Sequence, residues 1–392
     1  MTSPVDEGRL LPRQAAVPLP APEPRPDTDG RPAPPVAKRP GKRRLYVLDG
    51  LRLVAALMVV AYHYLGYNRS HPWGKSNAVI FPSLHRLAIY GWLGVYLFFL
   101  ISGFVICMSC WGRTPRQFMV SRFIRLYPAY WVALIMTTTV LWLRPGGSNL
   151  RLTDVLTNAT MVQQGLGAPN VDGVYWSLWA ELRFYLLFAV VAVMGVTYRR
   201  VVSFCVIWLV AAVVAEQSDS DLLTLLADPQ YAPFFIGGVA IYLMYRFGPR
   251  PELWLLIAAS WLDGQHQMYG LAAGASNVAK SHVSWAVSVV LMTVFFGLVI
   301  AAALGKLSFF NWRWLTVAGS MTYPLYLIHE DIGWEIIRHT HDHLPPYVLL
   351  VGLVLVMLLA SYLIQRLIEQ PTARRLKDWL SPARAASVRA PS

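Results

Sequence analysis

Residues 45–66, LYVLDGLRLVAALMVVAYHYLG, carry Asp49, Arg52 and His63 in an otherwise apolar and aromatic frame. Ionisable groups inside an apolar span are costly and mark a functional site by default. Arg52 and His63 are eleven positions apart. At about 100° per residue they return to within ~20° of one face of a helix, roughly 16 Å apart along its axis. An imidazole can act as a general base near neutral pH. An arginine on the same stripe can steer an anionic substrate towards it.

Three more clusters fit such chemistry. Arg122 and Arg125 lie three apart in RFIRLYPAYW, with Arg113 and Arg116 just upstream. On a helix the pair shares a face, and guanidinium forks match phosphate oxygens. Glu181 sits in VYWSLWAELRFYLLF, about 10 Å inside a span by helix rise. Tyr323, Tyr326 and His329 follow at three-residue spacing, before Glu330, Asp331 and Glu335. Counted from the arginine side, His63 lies ~25 Å up, His329 ~22 Å and Glu181 ~20 Å in a core about 30 Å thick. The expectation is a His–Glu–His level in which Glu181 orients His63. The arginines then lie at the opposite mouth, an arrangement that suits an elongated donor with a phosphate-rich head.

The elements that must hold these groups are apolar runs. The chain is 56% hydrophobic and only 14% charged, against about 25% charged for a soluble domain. The reading is an all-α polytopic membrane protein of about ten transmembrane helices, near 46–66, 88–110, 127–143, 174–196, 199–216, 231–247, 252–272, 283–304, 315–337 and 347–368. Residues 1–44 are rich in Pro, Ala and Arg and read as a disordered cytoplasmic tail with no signal peptide. Residues 45–370 form the transmembrane domain, and 371–392 a short cytoplasmic tail. The net charge of +13 falls mainly in loops after alternate runs, which puts both termini in the cytoplasm by the positive-inside rule. The cations are thus topology, and no nucleic-acid partner is expected. Cys107 and Cys110 read as packing, His339, His341 and His343 as a solvated loop, and no metal site is assigned.

Five motifs then occur in order: DGLR at 49–52 with His63, FFLISGFVI at 98–106, RFIRLYPAYW at 122–131, YWSLWAE at 175–181 and TYPLYLIH at 322–329. With these the chain resembles membrane acyltransferase family 3 over about 45–370. The resemblance implies transfer of an acyl group from acyl-CoA, a co-substrate and not a bound cofactor, to a hydroxyl. It implies Arg52, His63, Arg122, Arg125 and Glu181 as functional positions, and the expectation from their chemistry is that the three arginines bind the donor while His63 and Glu181 are catalytic. Asp49, Trp176, Ser177, Tyr323, Tyr326 and His329 are expected to line the site. The acceptor would be a cell-surface glycan or a secreted small molecule such as a glycosylated macrolide. Transfer would be direct or through a separate extracytoplasmic partner, in a bacterial cytoplasmic membrane. The alternative is a transporter or flippase. That class carries internal repeat symmetry, and the sequence has no visible repeat.

Overall fold

The computed structural model describes residues 45–69 and 71–380, and the expectations for 1–44 and for the end of the C-terminal tail lie outside them. Among the described residues the chain is helical, with no strand. Helix α1 (Tyr46–Ala61) widens into a π turn, Tyr62–Gly66. Two short helices, α2 (Asn77–Ile80) and α3 (Pro82–Ala88), lead to α4 (Leu93–Cys110). Then come α5 (Pro115–Leu143), the short α6 (Leu152–Asn158), α7 (Trp176–Met194), α8 (Tyr198–Glu216), the short α9 (Asp221–Ala227) and α10 (Ala232–Phe247). The rest is α11 (Pro251–Ala279), α12 (Trp285–Ala303), α13 (Trp314–Ile328), α14 (Asp331–Thr340), α15 (Pro346–Ile364), a second π turn at Gln365–Glu369 and α16 (Gln370–Leu380).

Among the described residues, seven helical segments are long and apolar enough to cross a membrane by length and composition. The other three expected spans are helical too, but differ from the expectation. Helix α10 has 16 residues and α13 has 15. Helix α11 is long, with 29 residues, but Asp263, Gln265, His266 and Gln267 dilute its apolar character. The run 315–337 is not one helix: α13 stops at Ile328, and α14 begins at Asp331 after the corner His329–Glu330.

Local sequence explains the starts. Thr114 caps α5 by accepting from Gln117 N–H while the Gln117 side chain accepts from Thr114 N–H, and Pro115 occupies the first helical turn. This reciprocal cap satisfies two donors that the helix itself cannot. Between helices, small residues set the approach, since apolar burial gives little drive inside lipid. A Cβ on Gly103 of α4 would sit 2.1 Å from Phe235 O, and one on Gly238 of α10 1.9 Å from Leu100 O. Only glycine permits that contact, so α4 and α10 form the tight centre of the bundle.

The basic loops gather at one end. The Arg246 guanidinium lies 4.6 Å from the Trp111 ring and that of Arg250 4.8 Å from Tyr198. Tyr198 Oη donates to Glu252 at 2.8 Å. Elsewhere Arg183 pairs with Asp228 at 2.9 Å, and burial pushes the Asp228 carboxyl up to about 7 even against that guanidinium.

Candidate active site

His63 sits on the π turn that ends α1, where Tyr67 N–H donates to Tyr62 O at 2.7 Å. A π turn frees carbonyls from the α-helical ladder, and here side chains take them. Trp334 Nε1 donates to His63 O at 3.0 Å, and Trp73 Nε1 to Tyr64 O at 2.9 Å. His85 Nδ1 lies 2.7 Å from Leu65 O. The turn is therefore clamped from three directions.

The imidazole environment assigns its protons. His329 Nδ1 faces two carbonyls, Leu325 O at 3.1 Å and Tyr326 O at 2.9 Å. Carbonyls only accept, so in the neutral ring that nitrogen carries the hydrogen and Nε2 is an acceptor. His329 Nε2 lies 3.0 Å from His63 Nδ1, which is also 3.0 Å from Val59 O. His63 Nδ1–H thus donates to both, and His63 Nε2 is left with its lone pair free. The nearest charged group to that nitrogen is Glu330, with Oε1 at 3.6 Å. Glu330 is buried, and its second oxygen, Oε2, has no hydrogen-bond partner.

Glu330 belongs to a carboxylate corner. Asp331 N–H donates to Asp172 Oδ2 at 3.4 Å, Val174 N–H to Asp172 Oδ1 at 3.1 Å and Gly173 N–H to Asp331 Oδ2 at 3.4 Å. Burial, with Asp331 close by, pushes the Asp172 carboxyl well above the usual carboxylate range. The corner packs against the 173–175 turn that starts α7.

His63, Trp176, Tyr231, Tyr326 and Glu330 line one side of a cavity of about 550 Å³, and α11 supplies another wall. A second cavity of about 50 Å³ is lined by Arg52, Ser102, Ser177, Glu181, Tyr323 and Tyr326. Tyr326 and Val95 border both. Tyr326 Oη lies 2.6 Å from Ser177 Oγ and 3.1 Å from Val174 O. Tyr323 Oη donates to Leu126 O at 3.2 Å.

The expected residues divide between these spaces. His63, Trp176 and Tyr326 line the larger cavity, and His329 is buried behind His63. Arg122 and Arg125 lie three positions apart on α5, and Arg52 lines the smaller cavity. Arg125 also pairs with Glu369 of the second π turn. Asp49 packs against Gly319 of α13, where a Cβ would lie 2.7 Å from its Oδ1. Glu181 departs from the expectation of a partner for His63. It accepts from Ser102 Oγ at 2.6 Å in the smaller cavity, in the electrostatic neighbourhood of Tyr185 and Tyr323 that Arg122 and Arg125 also reach. Depth counted along straight helices does not give azimuth, and the corner after α13 brings Glu330 to the imidazole instead. The sequence hint was the dipeptide His329–Glu330 itself. Trp334, Asp172 and Glu369 carried no comparable signal, because only packing gives them their partners.

A family model described as an acyltransferase domain matches residues 45–366. Among curated proteins the chain is similar to Acyltransferase MdmB of Streptomyces mycarofaciens, 29% identical over 155 residues, which is 37% of this chain and 38% of that one. It is also similar to Peptidoglycan O-acetyltransferase OatA of Listeria monocytogenes, 28% identical over 167 residues, 37% of this chain and 24% of the relative. A third match, Protein 2 in picA locus of Rhizobium radiobacter, is 35% identical over 100 residues, 24% of this chain and 44% of the relative. Each match thus spans less than half of the relative's own length. No solved structure matches.

Proposed function

The chain belongs to this acyltransferase family, and we propose that it is a multi-pass membrane O-acyltransferase using acyl-CoA. The observation that carries the proposal is His63: its Nδ1 is held by Val59 and His329 and its free Nε2 borders a cavity of about 550 Å³. In that reading Nε2 takes the proton of an acceptor hydroxyl as the oxygen attacks the thioester carbonyl. Glu330 stabilises the imidazolium that forms, as a carboxylate near a protonated imidazole does. The proton then passes to the departing thiolate, so the ester and the free thiol are the products and no net proton is consumed.

Arg122 and Arg125 bind the nucleotide phosphates of the donor, and Arg52 guides its pantetheine arm. Glu181 balances the arginine charge along that route. The arm reaches His63 past Tyr326 and Val95, which border both cavities. The smaller cavity, about 50 Å³, widens there to admit it. Trp176 and Ser177 shape the passage, and Asp49 holds α1 against α13. The similarity to a peptidoglycan O-acetyltransferase supports an acetyl or other short acyl group. The acceptor is a hydroxyl of a cell-surface glycan or of a secreted molecule such as a glycosylated macrolide. The gathering of basic loops at the arginine end supports a cytoplasmic donor side and cytoplasmic termini, in the cytoplasmic membrane of a bacterium. The test is thioester cleavage by purified protein in nanodiscs, with and without hydroxyl acceptors. Acceptor-dependent release of free CoA with an esterified product is expected. Wild-type protein that releases no CoA with any acyl-CoA and acceptor refutes the proposal.

A further inference from the structure

The wall that α11 gives to the larger cavity is one helical face: Gln267, Gly270, Leu271, Gly274, Ala275 and Val278. Two of its positions are glycines, which destabilise a helix interior relative to alanine. Neither is required by the backbone, since both lie within α11 and neither has a positive φ. Nor does a neighbouring helix require them, because a Cβ built on either meets nothing within 4 Å. Gly264 on the same helix is different, with Phe234 3.1 Å from its Cβ position. Packing thus accounts for Gly264 and leaves Gly270 and Gly274 with one physical consequence, free volume beside the cavity. A second observation points to a ligand there. His63, 9% exposed, borders the same cavity, and its Nε2 makes no hydrogen bond.

We infer that Gly270 and Gly274 are specificity-determining positions, keeping the α11 wall bare so that a bulky acceptor can lie across it with its hydroxyl at His63. The inference rests on the proposed role of this cavity as the acceptor site. Side chains at these positions would exclude acceptors by size. A misfit of about one methylene in an apolar pocket discriminates by about 10- to 200-fold in kcat/KM.

The test uses Gly270→Leu and Gly274→Leu in nanodiscs with one acyl-CoA and three acceptors: a monosaccharide methyl glycoside, a disaccharide glycoside and a macrolide-sized glycoside. The readout is the ratio of kcat/KM for the largest acceptor used by the wild type to that for the smallest. Each Leu variant is expected to lower this ratio by about 10- to 200-fold, and each Ala variant by less. Gly297→Leu on α12 is the control, because its Cβ also meets nothing within 4 Å and it does not border the cavity. It should leave the ratio unchanged. Equal losses for all acceptors, which misfolding would produce, or an unchanged ratio in both Leu variants, overturn the inference alone. Wild-type protein that cleaves the thioester but acylates no acceptor of any size overturns the acceptor role of the cavity, and the inference with it.

Discussion

Glu330→Gln isolates one charge with little change of shape. Glu330 Oε1 lies 3.6 Å from His63 Nε2, and the two side chains are 6% and 11% exposed, so bulk water does little to screen them. At an effective dielectric of about 20, an imidazolium and an ionised Glu330 at that separation interact by roughly 5 kcal/mol, an upper bound because burial and the neighbouring Asp172 and Asp331 push the Glu330 carboxyl above the usual carboxylate range. In the transition state the proton is only partly transferred, so about half of this, roughly 2–3 kcal/mol, acts on the barrier. That corresponds to a fall in kcat of about 30- to 150-fold, at 1.4 kcal/mol per decade. The assay is steady-state transfer at saturating donor and acceptor, with donor affinity measured separately by calorimetry. Donor affinity should stay near wild type, because the arginines proposed to hold the donor lie in another part of the molecule. Glu181→Gln should do the opposite, altering donor affinity before turnover, since Glu181 sits with Ser102 beside the arginine neighbourhood. A folded Glu330→Gln protein with wild-type kcat refutes the assignment of Glu330. A loss of donor affinity with kcat intact refutes the division of the site into donor and acceptor ends.

The remaining expectations concern the other groups. His63→Ala removes the proposed base and should lower transfer by about 10²- to 10⁴-fold, with donor binding by calorimetry retained. Arg125→Ala removes the proposed charge-assisted phosphate contact, of a kind worth about 1.5–3 kcal/mol, so donor affinity should weaken roughly ten- to hundredfold, with partial turnover at saturation. His329→Ala should cost only about 2- to 13-fold in kcat, the value of one neutral hydrogen bond, because Val59 O still accepts from His63 Nδ1. A fall in kcat beyond 100-fold in a folded His329→Ala protein would mean that His329 touches the reacting atoms itself.

The sequence by itself determined the class of the fold and most of the chemical inventory. Long apolar runs can cross lipid only as structures whose backbone is satisfied internally, so the spans expected at 46–66, 88–110, 127–143 and 174–196 recur as helices, although α5 begins twelve residues earlier, at Pro115, and carries Arg122 and Arg125 within it. Helical periodicity turned Arg52 and His63 to one side, and both line interior cavities. It also joined Arg122 to Arg125. Periodicity is a property of one straight helix, however, and says nothing of the angle between helices or of where one breaks. The π turn at Tyr62–Gly66, the corner at His329–Glu330 and the shortness of α10 and α13 are not written in any local repeat. Tertiary packing decided those. It placed Glu330 rather than Glu181 beside the imidazole, fixed the His63 tautomer through carbonyls of α13 and drew Glu369 to Arg125. Such contacts join residues more than two hundred positions apart. Their energies depend on distances of 3–4 Å that only the assembled bundle defines.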